Sequence, residues 1–95
     1  LEVPQGYAGL IYARSGLAVK LGITLSNCVG VIDSDYRGEL RVGLINLSDE
    51  AYTVNNGERI AQIVIAPVII PELSVVDELD ETERNAGGFG STGKA

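Results

Sequence analysis

The chain has 95 residues with one cysteine, Cys28, and no histidine. That length allows a single small domain, and the composition excludes a disulfide framework, a thiolate zinc cluster, a Ser-His-Asp triad and any histidine-ligated metal. The net charge of −6 lies in one place: residues 72–83 hold Glu72, Asp77, Glu78, Asp80, Glu81 and Glu83 without a base, while the other seven acids match the seven bases. Such a chain repels a polyanionic duplex, so nucleic acid is not an expected partner. No apolar run approaches the ~20 residues that span a bilayer and no basic-then-apolar leader opens the chain, so the expectation is a soluble, cytoplasmic protein with no membrane partner. With 45% apolar residues it can form a core, but a chain this short buries a limited fraction of its surface and is expected to associate with its own kind.

Valine, isoleucine and threonine number 10, 9 and 4, and β-branched side chains favour a pleated sheet over a helix. In chain order, short strands are expected at 7–13, 23–26 and 29–32. Leu40, Val42 and Leu44 then alternate with Arg41, Gly43 and Ile45 as a half-buried strand does. Further runs follow at 52–54, 60–65 and 68–70, with Gly22, Gly38, Asn55-Asn56-Gly57 and Pro71 as punctuation. Residues 15–21 carry the helical pattern, two turns at most, with Ser15 as N-cap and Gly22 as stop. Six or so short strands point to an all-β sandwich, barrel or jelly roll. From Asn85 the chain is glycine-rich without apolar periodicity, a flexible arm, so the division is a core over 1–84 and an arm over 85–95.

Two motif matches fail. Gly88 to Lys94 has the spacing of a phosphate loop, but Ala95 replaces the hydroxyl that would bind Mg²⁺ and no helix follows. Residues 33–38 open like a calcium loop, yet Arg37 and Leu44 stand where ligands are required. Four other features carry chemistry. Arg14-Ser15-Gly16 places a cation and a hydroxyl at a helix mouth, where backbone N–H groups attract anions; standing alone, an ordinary capped turn is the commoner case. Residues 30–38 put two carboxylates and Tyr36 on a tight reversal, able to read a flat base by its main chain and to activate water, or simply to form a polar turn. Gln62 interrupts an apolar strand, so its amide pairs with backbone or with a ligand. Arg84 precedes a glycine-rich segment with the only phenylalanine, Phe89, either a solvated tail or a lid that stacks on a ligand.

Together, Arg14-Ser15-Gly16-Leu17-Ala18, Gly30-Val31-Ile32-Asp33-Ser34-Asp35-Tyr36-Arg37-Gly38, Gly57-Glu58-Arg59-Ile60-Ala61-Gln62 and the segment from Arg84 to Gly93 resemble, in order, motifs two to five of the trimeric deoxyuridine triphosphate nucleotidohydrolases, the dUTPases. The resemblance implies a jelly-roll homotrimer with active sites between subunits, hydrolysing dUTP to dUMP and pyrophosphate with Mg²⁺ held mainly through the substrate phosphates. By the same resemblance, Asp33 activates the water that attacks the α-phosphorus. Main-chain groups around Asn27, Gly30 and Ile32 read uracil, and Tyr36 packs beneath the deoxyribose. Arg14, Ser15, Gly16 and Gln62 hold phosphates. Phe89 stacks on uracil, beside Gly90, while Arg84, Ser91 and Thr92 reach the β- and γ-phosphates.

The family's first motif, an aspartate-bearing strand, has no counterpart before Arg14, and the chain opens on Leu1. These 95 residues are therefore expected to be part of a longer enzyme and to be inactive, or nearly so, alone. The alternatives are a dCTP deaminase-like enzyme of the same superfamily, a nucleotide-binding or assembly module without turnover, and a β-domain whose motifs are inherited but idle.

Overall fold

The computed structural model describes residues 1–93, and Lys94 and Ala95, the end of the expected arm, lie outside the described residues. Five strands form two antiparallel sheets. Strands β1 (Tyr7–Ala13), β3 (Gly30–Ile32) and β5 (Ala61–Pro67) make the larger, in the order β3-β1-β5, and β2 (Ile23–Leu25) pairs with β4 (Leu44–Asn46) in the smaller. In β1, Gly9 faces Ile32 of β3 and Ile65 of β5. A methyl group on Gly9 would stand 3.0 Å from Ile63 Cδ1 and 3.2 Å from Ile32 Cβ, so the missing side chain lets two branched residues close over the middle strand.

The alternation expected at residues 40–45 appears in burial from 41 onward, with Val42 and Leu44 half-buried and Arg41, Gly43 and Ile45 exposed, while Leu40, expected on the inner face, is exposed. Its hydrogen-bonded part is shorter, because β2 offers partners to residues 44–46 alone. The strands expected at 52–54 and 68–70 are absent: among the described residues no strand lies alongside either run, and an unpaired ladder gains nothing from extended backbone. Residues 16–20 form a five-residue π-helical turn. Ser15 sits in helical backbone at φ −57° and ψ −40° and makes no capping bond through its side chain, which corrects the N-cap expectation. No helix among the described residues is long and apolar enough to cross a membrane.

The hydrophobic core is small: Val3, Ala8, Ile11, Ile23 and Leu25. The chain exposes 8354 Å², against about 5,200 Å² for a compact monomer of its mass. Its radius of gyration is 18.9 Å, against about 12 Å for a compact domain. Ile63, Val64 and Ile65 of β5 and, beyond it, Ile69, Ile70, Leu73, Val75 and Leu79 are among the exposed apolar side chains.

The approach to β5 is closed by a carboxylate. Glu58 accepts the phenolic O–H of half-buried Tyr52 through Oε1, and the Asn55 N–H donates to its Oε2 at 3.3 Å. The hydrogen bond to Glu58, with burial and the carboxylate charge behind it, raises the Tyr52 pKa above the ordinary 10.0. A raised acid pKa contributes stability that is fully present below the unfolded value near pH 10 and is lost as the pH climbs through the folded one. Ultraviolet titration of phenolate is therefore expected to show one tyrosine ionising above the ordinary 10.0, and Tyr52→Phe should remove that step; superimposable titrations of the two proteins would contradict it.

Candidate functional site

Most of the sequence-derived residues line three separate surface hollows; Asn27, Gly30, Phe89 and Gly90 line none of them. Beyond the C-terminal end of β1, a hollow of about 360 Å³ is lined by Arg14, Ser15, Gly16, Leu17 and Gln62. The register that sets Tyr12 opposite Gln62 brings β5 to this place, and Gln62 Nε2 donates to the Ala13 carbonyl at 2.9 Å. Gln62 is exposed rather than buried, since β5 is an edge strand of the chain. One bond to backbone holds the amide, and its oxygen and second N–H remain for a ligand. The two alternatives for this residue are thus compatible. The Arg14 guanidinium and the uncapped Ser15 hydroxyl make the hollow suited to an anion through side chains, because a five-residue turn supplies little of a helix dipole.

The second hollow, about 200 Å³, is lined by Val31, Ile32, Asp33, Tyr36, Glu39 and Arg41. Asp33 is exposed, and its carbonyl accepts the Tyr36 N–H at 3.1 Å to close a turn. The Tyr36 hydroxyl donates to the Glu39 carbonyl at 2.8 Å, fixing the ring across the loop. That arrangement requires glycine at 38, where a Cβ would fall 2.3 Å from the Tyr36 hydroxyl and 2.5 Å from its ring carbon Cζ. Arg41 Nε stands 3.9 Å from Glu39 Oε1, a loose surface pair. Strand β3 is the outer strand of its sheet, so one row of its main-chain N–H and C=O groups has no partner strand in this chain. The pairing of Ile32 with Gly9 and of Gly30 with Ile11 turns the main-chain groups of those two residues toward β1, which leaves the groups of Val31 on the open edge. Asn27 lies in the turn before β3, where its carbonyl accepts the Val29 N–H at 2.7 Å.

The third hollow, about 430 Å³, belongs to the arm and is lined by Glu83, Arg84, Gly87, Ser91 and Thr92. Successive tight turns shape it: the Gly87 N–H donates to the Arg84 carbonyl at 3.1 Å, Ser91 N–H to Gly88 at 3.0 Å and Gly93 N–H to Gly90 at 2.9 Å. Thr82 and Asn85 exchange side-chain-to-backbone bonds at 2.8 and 3.0 Å, and Arg84 Nε donates to the Gly87 carbonyl. Phe89 is fully exposed, with its backbone at a φ of 43°. The arm thus has local order that its composition did not predict.

These hollows share no lining residue. Asp33 follows Ile32, which faces Gly9, so it lies level with Ala8, whereas Arg14 follows Ala13 at the other end of the strand. Six residues of extended strand put the two sites about 20 Å apart. Arg37, which the sequence reading passed over as a site residue, holds the Asp33 loop by donating from Nη1 to the Ser34 and Tyr36 carbonyls at 2.7 and 3.1 Å.

Comparison with known proteins establishes the family. The family model for dUTPase matches residues 1–93. The chain belongs to the dUTPase family. The deoxyuridine 5′-triphosphate nucleotidohydrolase of Nautilia profundicola is 60% identical over 98% of this chain and 66% of its own length. The Staphylococcus bacteriophage 80alpha dUTPase, solved with dUpNHpp, matches at a TM-score of 0.83 and 30% identity, over 98% of this chain and 70% of that one. A mutant dUTPase of S. aureus phage phi11, whose structure describes the coordination of a structural Mg(II) ion, matches at a TM-score of 0.68 and 30% identity, over 81% of this chain and 66% of that one. The all-β jelly-roll expectation therefore holds. The chain spans 62–66% of the length of the first curated dUTPases it matches.

Gly38→Ala is expected to expel the Tyr36 ring from its seat, seen as loss of the hydroxyl bond to Glu39 and a changed tyrosine fluorescence or ring resonance, with the fold retained; an unmoved ring would contradict it.

Proposed function

We propose that the full protein is a dUTP diphosphatase, hydrolysing dUTP to dUMP and pyrophosphate in sites built between subunits of a homotrimer. The observation that carries this reading is the separation of the hollows: the phosphate-suited residues and Asp33 belong to one family's motifs yet stand about 20 Å apart along β1, so two copies must meet to complete one site. The unusually large exposed surface of the isolated chain supports such an assembly.

In the assembled site, main-chain groups around Asn27, Gly30 and Ile32 accept and donate hydrogen bonds to uracil, and Tyr36, fixed by Glu39, packs under deoxyribose and leaves no room for a 2′-hydroxyl. Arg14, Ser15, Gly16 and Gln62 of a neighbouring copy bind the phosphates. Asp33 takes a proton from water as the oxygen forms a bond to the α-phosphorus and the bond to the pyrophosphate oxygen breaks. The arm, residues 85–95 beyond a core of 1–84, closes with Phe89 over the base, Gly90 giving the bend at a φ of 85°, and Arg84, Ser91 and Thr92 on the β- and γ-phosphates. Among the described residues no three acidic, cysteine or histidine side chains form a group able to hold a metal. Mg²⁺ in this reading arrives on the triphosphate, where it offsets negative charge, and no step is assigned to a protein-held ion.

The test is a parallel assay of the full-length protein with dUTP and dCTP, reading pyrophosphate and ammonia. Pyrophosphate from dUTP without ammonia from dCTP is expected, and Asp33→Asn should lower kcat by about 10²–10⁴-fold while dUpNHpp still binds. Ammonia release, or nucleotide binding without turnover by the unmodified protein, would overturn the assignment.

A further inference from the structure

We propose that Arg37 is a positioning residue for catalysis, a fork that ties the Asp33 loop to the core of its own subunit through Glu2; this rests on the dUTP diphosphatase reading above. Three acceptors on two distant segments meet on one guanidinium. Nη1 donates to the carbonyls of Ser34 and Tyr36, at 2.7 and 3.1 Å, on either side of Asp35, and Nη2 donates to Glu2 Oε1 at 3.0 Å across 35 residues of sequence. As a surface ion pair, with both side chains more than half exposed, the contact with Glu2 has little stabilising worth. Its value is geometric. Glu2 precedes Val3, which at 3% exposure is the most buried of the core side chains, so the exposed carboxylate that takes the fork's far end is joined directly to an anchored residue.

At its near end, the loop between Asp33 and Gly38 has few other restraints: the Tyr36 N–H to Asp33 carbonyl bond and the Tyr36 hydroxyl bond to Glu39. Both are internal to the segment 33–39 and neither fixes it relative to the sheet. A planar fork with several donors at set angles satisfies the two loop carbonyls and the carboxylate together, which a lysine's single ammonium does poorly. Without Arg37 the loop keeps its turn but loses its aim, and the Asp33 carboxylate samples orientations that are unproductive for an attack requiring close alignment. Substrate grip, supplied mainly by main-chain groups around Asn27, Gly30 and Ile32 and by a neighbouring copy, is left largely intact.

The experiment uses the full-length protein with dUTP. Arg37→Met keeps the apolar stem and removes every donor; kcat is expected to fall by about 10- to 100-fold, with KM changed by less than about threefold and with the thermal midpoint and assembly retained. Arg37→Lys should recover part of the lost kcat. Wild-type kcat in Arg37→Met, or a loss of kcat that only follows the loss of folded protein, overturns the proposal. If Arg37→Met does not fold, Glu2→Ala decides: a lower kcat at unchanged KM supports the fork, and an unchanged kcat overturns it. Failure of the underlying reading has a different signature, since Asp33→Asn would then retain full kcat whatever residue stands at 37.

Discussion

Strand β1 pairs with β5 along its whole length and with β3 along its middle, and that double pairing decides where the Arg14 hollow and the Asp33 loop stand. Once Gly9 faces Ile32 and Ile65, the antiparallel register leaves no freedom: Gln62 must fall opposite Tyr12, beside the exit toward Arg14, and Asp33 must emerge at the opposite end of the strand. A one-residue slip would invert the faces of β5 or β3 and scatter both hollows. The absence of a side chain at Gly9 permits the close approach on which the register depends. A structural choice in the middle of a sheet therefore fixes the division of labour between its ends.

That division accounts for the chain's exposed surface. A triphosphate needs cations and donors near the place where water is activated, yet this fold holds the two sets about 20 Å apart. The proposed assembly answers both problems: it would set one copy's Asp33 loop beside another's phosphate hollow, and it would cover apolar side chains such as Ile63, Val64 and Ile65 that the isolated chain leaves exposed. The acidic run at 72–83 lies between the core strands and the arm. Its self-repulsion disfavours collapse of this run onto the chain's own body.

Much of this was legible in the sequence because it depends on local chemistry. The β-branched content and the alternation at 40–45 located strands, and the residue types at 14–16, 30–38, 57–62 and 84–93 marked motifs that the structure gathers into discrete hollows. What sequence could not give was pairing. The runs at 52–54 and 68–70 have strand composition but no partner alongside, and Gln62 looked buried because its apolar neighbours suggested a central strand when β5 lies at an edge. Ser15 resembled a cap by its position before a helical pattern, while its backbone turned out to be already helical. Arg37 was missed for a similar reason: its partner Glu2 is 35 residues away, and no short motif encodes that contact.

The central claim, that Asp33 and the Arg14 hollow serve one site from different copies of the chain, is tested most directly by subunit complementation. Asp33→Asn and Arg14→Ala subunits of the full-length protein are each assayed alone and then after random co-assembly in equal amounts. Cyclic assembly with sites shared between neighbours predicts that about a quarter of the mixed sites regain both native residues, so dUTP hydrolysis should rise far above that of either parent. Activity in the mixture no higher than the average of the two parents would contradict the account, because it would place both residues in the site of a single chain.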